Sequence, residues 1–153
     1  MTIDIKGPYF EKASVCAPIL RALPEWFGIE ESILQYLTEI DKQPTWLAYE
    51  AERVIGFISI KQHTPYAAEL YVMGLLPGTQ RKGIGRALVN QAQEWLIENG
   101  VEYLQVKCLG PSDNDENYAK TRAFYEATGF RALEEFKQIW DENNPCLIMV
   151  KRL

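Results

Sequence analysis

The stretch from Ala67 to Glu98 constrains the fold more than any other part of the chain. An apolar run with strand character, Ala67 to about Leu76, meets the break Pro77-Gly78-Thr79 and the basic turn Gln80-Arg81-Lys82-Gly83-Ile84-Gly85. Directly afterwards Ile84, Leu88, Ala92, Trp95 and Leu96 recur at helical spacing until Asn99-Gly100 stops the pattern. A strand, a tight turn and a helix in that order leave the first amides of the helix unpaired and aim the positive end of its dipole into the turn. Such a corner is an anion site. Gly83 and Gly85 let the backbone pass close to a phosphate, and Arg81, Lys82 and Arg86 add positive charge where a pyrophosphate needs it.

Two common phosphate loops do not fit these residues. A P-loop needs Lys after its second glycine, whereas Gly78 through Gly83 is followed by Ile84. A dinucleotide fingerprint beginning at Gly83-Ile84-Gly85 needs a third small residue where Leu88 stands.

Around this corner, helical and strand periods alternate with short polar breaks, and no repeat or low-complexity tract interrupts them. The spacing predicts helices from about Glu11 to Ala22, ended by Pro24, and from Glu30 to Ile40. Trp46–Tyr49 and Val54–Ile60 read as antiparallel strands joined by Glu50-Ala51-Glu52-Arg53. Val101 to Cys108 reads as an interior strand, and Asn117 to Ala127 as a helix ending at Gly129. Strands follow around Phe130 to Phe136 and Cys146 to Val150, with Asn143-Asn144-Pro145 in the turn between them. The pattern is that of one mixed α/β domain over residues 1–153.

Composition removes several classes of function. A net charge of -5 with no run of Lys or Arg argues against a nucleic-acid partner, because counterion release needs clustered cations. Cys16, Cys108 and Cys146 are odd in number and lie in apolar contexts, which fits reduced thiols. A lone His63, set beside Thr64-Pro65 and read as a turn residue, leaves little for a zinc site. In Asp113-Asn114-Asp115-Glu116 a calcium loop would need Gly at Tyr118 and Glu at Phe124, so no metal is expected and the run reads as a solvated loop. The first residues lack the apolar core of a signal peptide and no stretch is apolar for long enough to span a bilayer. The expected setting is the cytoplasm, away from membranes.

Gln-x-x-Gly-x-Gly at Gln80 to Gly85 resembles the signature of the GNAT superfamily of acyl-CoA-dependent N-acyltransferases: Arg or Gln, two residues, Gly, one residue, then Gly or Ala. Phe124-Tyr125-Glu126-Ala127-Thr128-Gly129-Phe130 is similar to the family's later helix ending in Tyr, three residues, Gly-Phe. The likeness covers roughly residues 45 to 135. It implies a mostly antiparallel central sheet of six to seven strands flanked by about four helices. It also implies acetyl-CoA as acyl donor, its pyrophosphate wrapped by Gln80, Arg81, Lys82, Gly83, Ile84, Gly85 and Arg86. A strand bulge before the loop would free backbone amides at Met73, Gly74 and Leu75 for the thioester carbonyl and pantetheine. Where the family often has Asn this chain has Tyr118, with Asn117 beside it, and both are assigned to the pantetheine wall with Tyr125.

The resemblance further implies transfer to a primary amine, which needs a base, since amines near pKa 10 are mostly protonated at neutral pH, and an acid for the departing thiolate. Glu69, eleven residues before Gln80, takes the position of the family's glutamate base, and Tyr125 that of its acid. Cys108 has no His close by in sequence and is read as structural, which leaves direct attack by the amine. The acceptor groove implied by the family would include Trp26, Phe27, Ile29 and Tyr36 from the first two helices and Trp140 from the last strands. Glu30, Glu31 and Glu69 suit a small cationic amine such as a polyamine, an aminoglycoside or an amino-acid derivative. A protein N-acetyltransferase would share these motifs, and a non-catalytic acyl-CoA sensor would keep the loop without needing Glu69 or Tyr125. Dimers are common in this family, so a homodimer is compatible with the likeness.

Overall fold

The computed structural model describes residues 2–79 and 82–153. The elements run β1 (Ile3–Tyr9), α1 (Ala13–Arg21), α2 (Glu30–Ile40), β2 (Thr45–Glu50), β3 (Arg53–Gln62), β4 (Ala67–Leu75), α3 (Ile84–Glu98), β5 (Tyr103–Leu109), α4 (Glu116–Ala127), β6 (Arg131–Asp141) and β7 (Asn144–Arg152). They build a mixed α/β fold around a seven-stranded sheet ordered β1-β2-β3-β4-β5-β7-β6. Neighbours are antiparallel except β4 and β5, which run parallel because α3 carries the chain back across the sheet between them.

Both faces of the sheet are covered, which is why Ile55 through Ile60 of β3 is buried without alternation. On one face α3 sets Leu88, Ala92 and Leu96 against Ile58, Leu70, Leu104 and Val106. On the other, Cys16, Leu20, Ile33 and Ile40 of α1 and α2 pack with Leu47, Phe57 and Val72. The strands between these layers thus have one face toward α3 and α4 and one toward α1 and α2. Aliphatic side chains this deeply buried contribute about 1.5–3 kcal/mol each.

Two local readings are corrected by the structure. Residues 3–9 form an edge strand paired with β2, a strand not foreseen at the amino terminus. Its apolar alternation extends only over Ile3 and Ile5 before Gly7-Pro8 interrupts it. Pro145 lies inside β7 rather than in the preceding turn; that turn is tight, with Asp141 Oδ1 accepting from the amide of Asn143 at 2.8 Å.

Candidate active site

β4 and β5 pair only over Ala67–Leu70 and Tyr103–Val106; beyond these residues the two strands continue without a shared ladder. The cause lies on the other edge of β4, where the register against β3 slips between Leu70 and Val72, making Tyr71 an extra residue. Leu70 packs with the α3 core, Tyr71 and Val72 both with the α1–α2 core, and Met73 again with the α3 core. The bulge therefore falls at Tyr71 and not at the glycine. Gly74 is a regular pair of Phe57, and a Cβ there would press on Ile19 at 3.1 Å and on Leu23 and Phe57 at 3.3 Å. A cleft of about 750 Å³ opens where the strands part, running from Gly83 and Arg86 past Met73 to Tyr125.

The α3 side of this cleft is the corner singled out in the sequence. Gly83 caps α3 at φ 76°, a conformation that costs other residues about 1 kcal/mol or more, and nothing stands within 4 Å of where its Cβ would be. Gly85 has a different reason: a Cβ there would meet the Phe124 ring at 3.0 Å, so it lets α3 and α4 pack closely. Ile84 turns its side chain into the core at 2% exposure, which leaves only its backbone for the turn. Arg86 lines the cleft and donates to the Ala127 carbonyl at 3.2 Å, and Lys82 is exposed. Gln80 and Arg81 lie outside the described residues. Met73, Gly74 and Leu75 line the cleft. An open left-handed turn, a helix start and a gap between strands together fit a long ligand with a phosphate at one end.

α4 supplies the next wall. Asp115 caps it, accepting from the amides of Asn117 at 2.8 Å and Tyr118 at 3.2 Å, so the acidic loop has a structural task. Asn117 is half-buried, and its carbonyl accepts from the Thr121 hydroxyl. Tyr118 and Tyr125 both line the cleft. The Tyr118 hydroxyl donates to the Trp26 carbonyl at 3.3 Å, whereas Tyr125 lies 7% exposed between the rings of Phe124 and Phe130. Burial pushes the Tyr118 phenol up to about 12, and pushes Tyr125 still further above the ordinary range, with smaller contributions from Cys108, Tyr118 and Tyr36. Tyr125 is thus a phenol that keeps its proton at neutral pH. Cys108 lines the cleft as a thiol raised by burial to about 11, which makes it a poor nucleophile.

Glu69, 4% exposed, alternates with Ala68 and Leu70 of the α3 core and so faces the other side of the sheet, and it is not among the residues that line the cleft. Its Oε1 meets three side chains: His63 Nε2 at 2.7 Å, Gln105 Nε2 at 3.3 Å and Lys107 Nζ at 3.6 Å. Lys107 lines the cleft, and the Glu69 charge acts on the phenols of Tyr36 and Tyr71, which line it too. His63 is thus more than a turn residue, although its amide does bond to the Ala67 carbonyl across the turn. Gln105 and Lys107 were not foreseen as partners of Glu69. The signal was their polarity at alternate positions of an otherwise buried strand.

The groove residues divide. Trp26, Phe27, Tyr36 and Trp140 line the cleft, while Ile29, 65% exposed, lines a side pocket of about 160 Å³ under the α1–α2 connection. Trp26 crosses to α4, its indole donating to the Thr121 hydroxyl at 3.0 Å. Glu30 is exposed and paired with Arg21 at 2.8 Å. Among the described residues no three His, Cys, Asp or Glu side chains come together as metal ligands, and no helix is long and apolar enough to cross a membrane.

The profile of the acetyltransferase (GNAT) family matches residues 14–130, and the chain belongs to that family. It is 36% identical over 95 residues to a mycothiol acetyltransferase from Beutenbergia cavernae, an alignment covering 61% of this chain and 30% of that protein. The chain therefore spans about a third of that relative's length. An acetyltransferase of the GNAT family from Desulfovibrio desulfuricans superposes with a TM-score of 0.84 at 19% identity, covering 99% of each chain. The PaiA N-acetyltransferase from Thermoplasma acidophilum, solved with coenzyme A, does so at 0.77 and 18% identity, covering 100% of each chain. The family is one of acetyltransferases, and coenzyme A is present in the PaiA structure.

Proposed function

We propose that residues 1–153 act as one domain that moves the acetyl group of acetyl-CoA to the primary amine of a small molecule by direct attack. The observation that carries this reading is the placement of Glu69. A buried carboxylate stands in the last paired stretch of β4 and β5, two residues before Tyr71, where the cleft wall on β4 begins, and its charge acts on Tyr36 and Tyr71 of that wall. The backbone at 82–86 and Arg86 would hold the pyrophosphate, with Gln80 and Arg81 completing the turn. Met73, Gly74, Leu75, Asn117, Tyr118 and Tyr125 would line the arm. Bound there, the thioester supplies an activated acetyl carbonyl. Glu69 takes one proton from the acceptor ammonium, freeing the lone pair that forms the C–N bond; as the C–S bond breaks Tyr125 gives its phenolic proton to the sulfur, and the second N–H proton, shed as the adduct becomes an amide, restores the phenol.

The acceptor enters from the side of Trp26, Phe27, Tyr36 and Trp140, with Ile29 at the edge. Charge on the cleft wall narrows the acceptor class. Its lining carries Arg86, Lys107 and Lys120, and Lys107 already neutralises part of Glu69. A polyamine would meet repulsion there, whereas an amino-acid derivative, with one ammonium and an anionic or neutral remainder, would not. The mycothiol acetyltransferase, by its name, acts on a small molecule too.

Thiol release from acetyl-CoA in the presence of spermidine, kanamycin, free amino acids and a short peptide tests this. Turnover with amino acids or their derivatives is expected, falling roughly 100-fold or more in Glu69→Gln, within the usual range for one acid–base group. Turnover confined to the peptide would favour a protein acetyltransferase. No turnover with any acceptor would favour a sensor, and undiminished turnover in Glu69→Gln would remove the base.

A further inference from the structure

We propose that His63 carries away the proton that Glu69 takes from the amine, an inference that rests on the reading of Glu69 as the base. A base used once per turnover must lose its proton before the next, and the Glu69 side chain is only 6% exposed. Of its three side-chain partners, Gln105 presents an amide N–H and Lys107 an ammonium, and neither accepts a proton. The third is an imidazole 2.7 Å away whose side chain is 35% exposed. His63 thus joins a nearly enclosed carboxylate to solvent.

The arrangement along the strands gives the path a direction. The cleft wall on β4 begins at Tyr71, beyond Glu69, whereas His63 sits at the other end, in the turn before Ala67. Glu69 lies between the two, so a proton can enter from the cleft and leave by the hairpin end, away from the thioester. The other titratable groups around Glu69 do not offer an exit. Lys61 stands opposite it on β3 over the Tyr71 ring, and Lys107 approaches from β5. Tyr36 of α2, Tyr71 of β4 and Cys146 of β7 all have their protons held more tightly by burial.

The proton count closes. With the accepting lone pair of Nε2 toward Glu69 and the ring proton on Nδ1, an N–H bond of the ammonium breaks and an O–H bond forms on Glu69, leaving the lone pair on the amine. Glu69 then passes that proton to Nε2 and the ring releases its Nδ1 proton to water. One proton has entered and one has left, the carboxylate is regenerated, and exchange of the ring proton from Nε2 to Nδ1 through water at the exposed imidazole restores the starting tautomer. His63 touches no substrate in this scheme; it is a positioning residue that also conducts.

The test uses His63→Asn and His63→Ala with the best acceptor from the amine panel, in dilute buffer. Asn can still donate a hydrogen bond to Glu69 but cannot carry a proton. Both variants are expected to lose kcat by on the order of tenfold or more, with KM for acetyl-CoA unchanged. Added imidazole should restore the rate of His63→Ala in proportion to its concentration, an effect that a purely structural role would not produce. Parent-like kcat in His63→Asn, or loss in His63→Ala that imidazole does not relieve, overturns the relay while leaving Glu69 as base. Full activity in Glu69→Gln fails the base itself, which is a separate outcome. Because His63 is the single histidine, ¹⁵N-histidine labelling reports on it even if its variants fold poorly. An Nε2 resonance that ignores Glu69→Gln in the folded protein would also overturn the proposal.

Discussion

At position 125 a phenol stands edge-on between two phenyl rings, each 5.6 Å away, in a site that disfavours its anion. That environment keeps the phenol protonated, the form in which the proposed acid must start, and raises the cost of the anion it would leave. Tyr125→Phe keeps the ring and its packing but removes the proton, so kcat should fall about 100-fold while the melting temperature moves little. A parent-like kcat in a stopped assay of thiol release would contradict the role. Tyr118, its hydroxyl already given to Trp26, should not substitute. Gly83 was legible from the strand, turn and helix that surround it, and Tyr125 from the motif that carries the family resemblance. The partners of Glu69 were not, because His63 reaches it across a turn and Lys107 through a parallel strand pair, and neither distance is written in the order of residues.

Among the elements, α4 depends most on its cap. Its exposed faces are polar and, among its described residues, only Tyr125 is buried, so little core burial holds the first turn in place. Asp115→Ala should therefore cost about 1 kcal/mol, read as a lower denaturation midpoint, and should weaken coenzyme A binding through Tyr118 and its neighbours. Unchanged stability would show that the Trp26–Thr121 bridge, rather than the cap, fixes the helix. Most elements were legible: the α2 boundaries match the apolar stripe, and β2 to β5 follow their apolar runs within a few residues. The bulge was not. An extra residue in β4 depends on how Ser59 and Ile60 align with Val72 and Leu70 across the hairpin, which no residue type in the strand marks. β1 escaped because an edge strand with one partner needs little apolar sequence.

For the whole molecule, burial of acids has a consequence at high pH. Cys16 is pushed up to about 12, Cys108 to about 11, Tyr71 and Tyr118 to about 12, and Tyr125 upward as well. The same groups in an unfolded chain titrate near 8.5 for thiols and 10 for phenols, so above those values the folded state holds more protons than the unfolded one. Stability is therefore complete at neutral pH and declines as pH rises from about 9 toward 12. A urea midpoint at pH 10.5 well below that at pH 7.5 is expected; equal midpoints would mean these groups are solvated.

The central claim is that the parted strands and the start of α3 form the coenzyme A site, with Gly83 in a conformation that a β-branched residue resists. Calorimetric titration with coenzyme A tests it most directly. The account expects one saturable site per chain in the parent and binding at least about tenfold weaker, or 1.4 kcal/mol, in Gly83→Val. Parent protein that gives no saturable heat, or a Gly83→Val variant that binds as tightly as the parent, would contradict it.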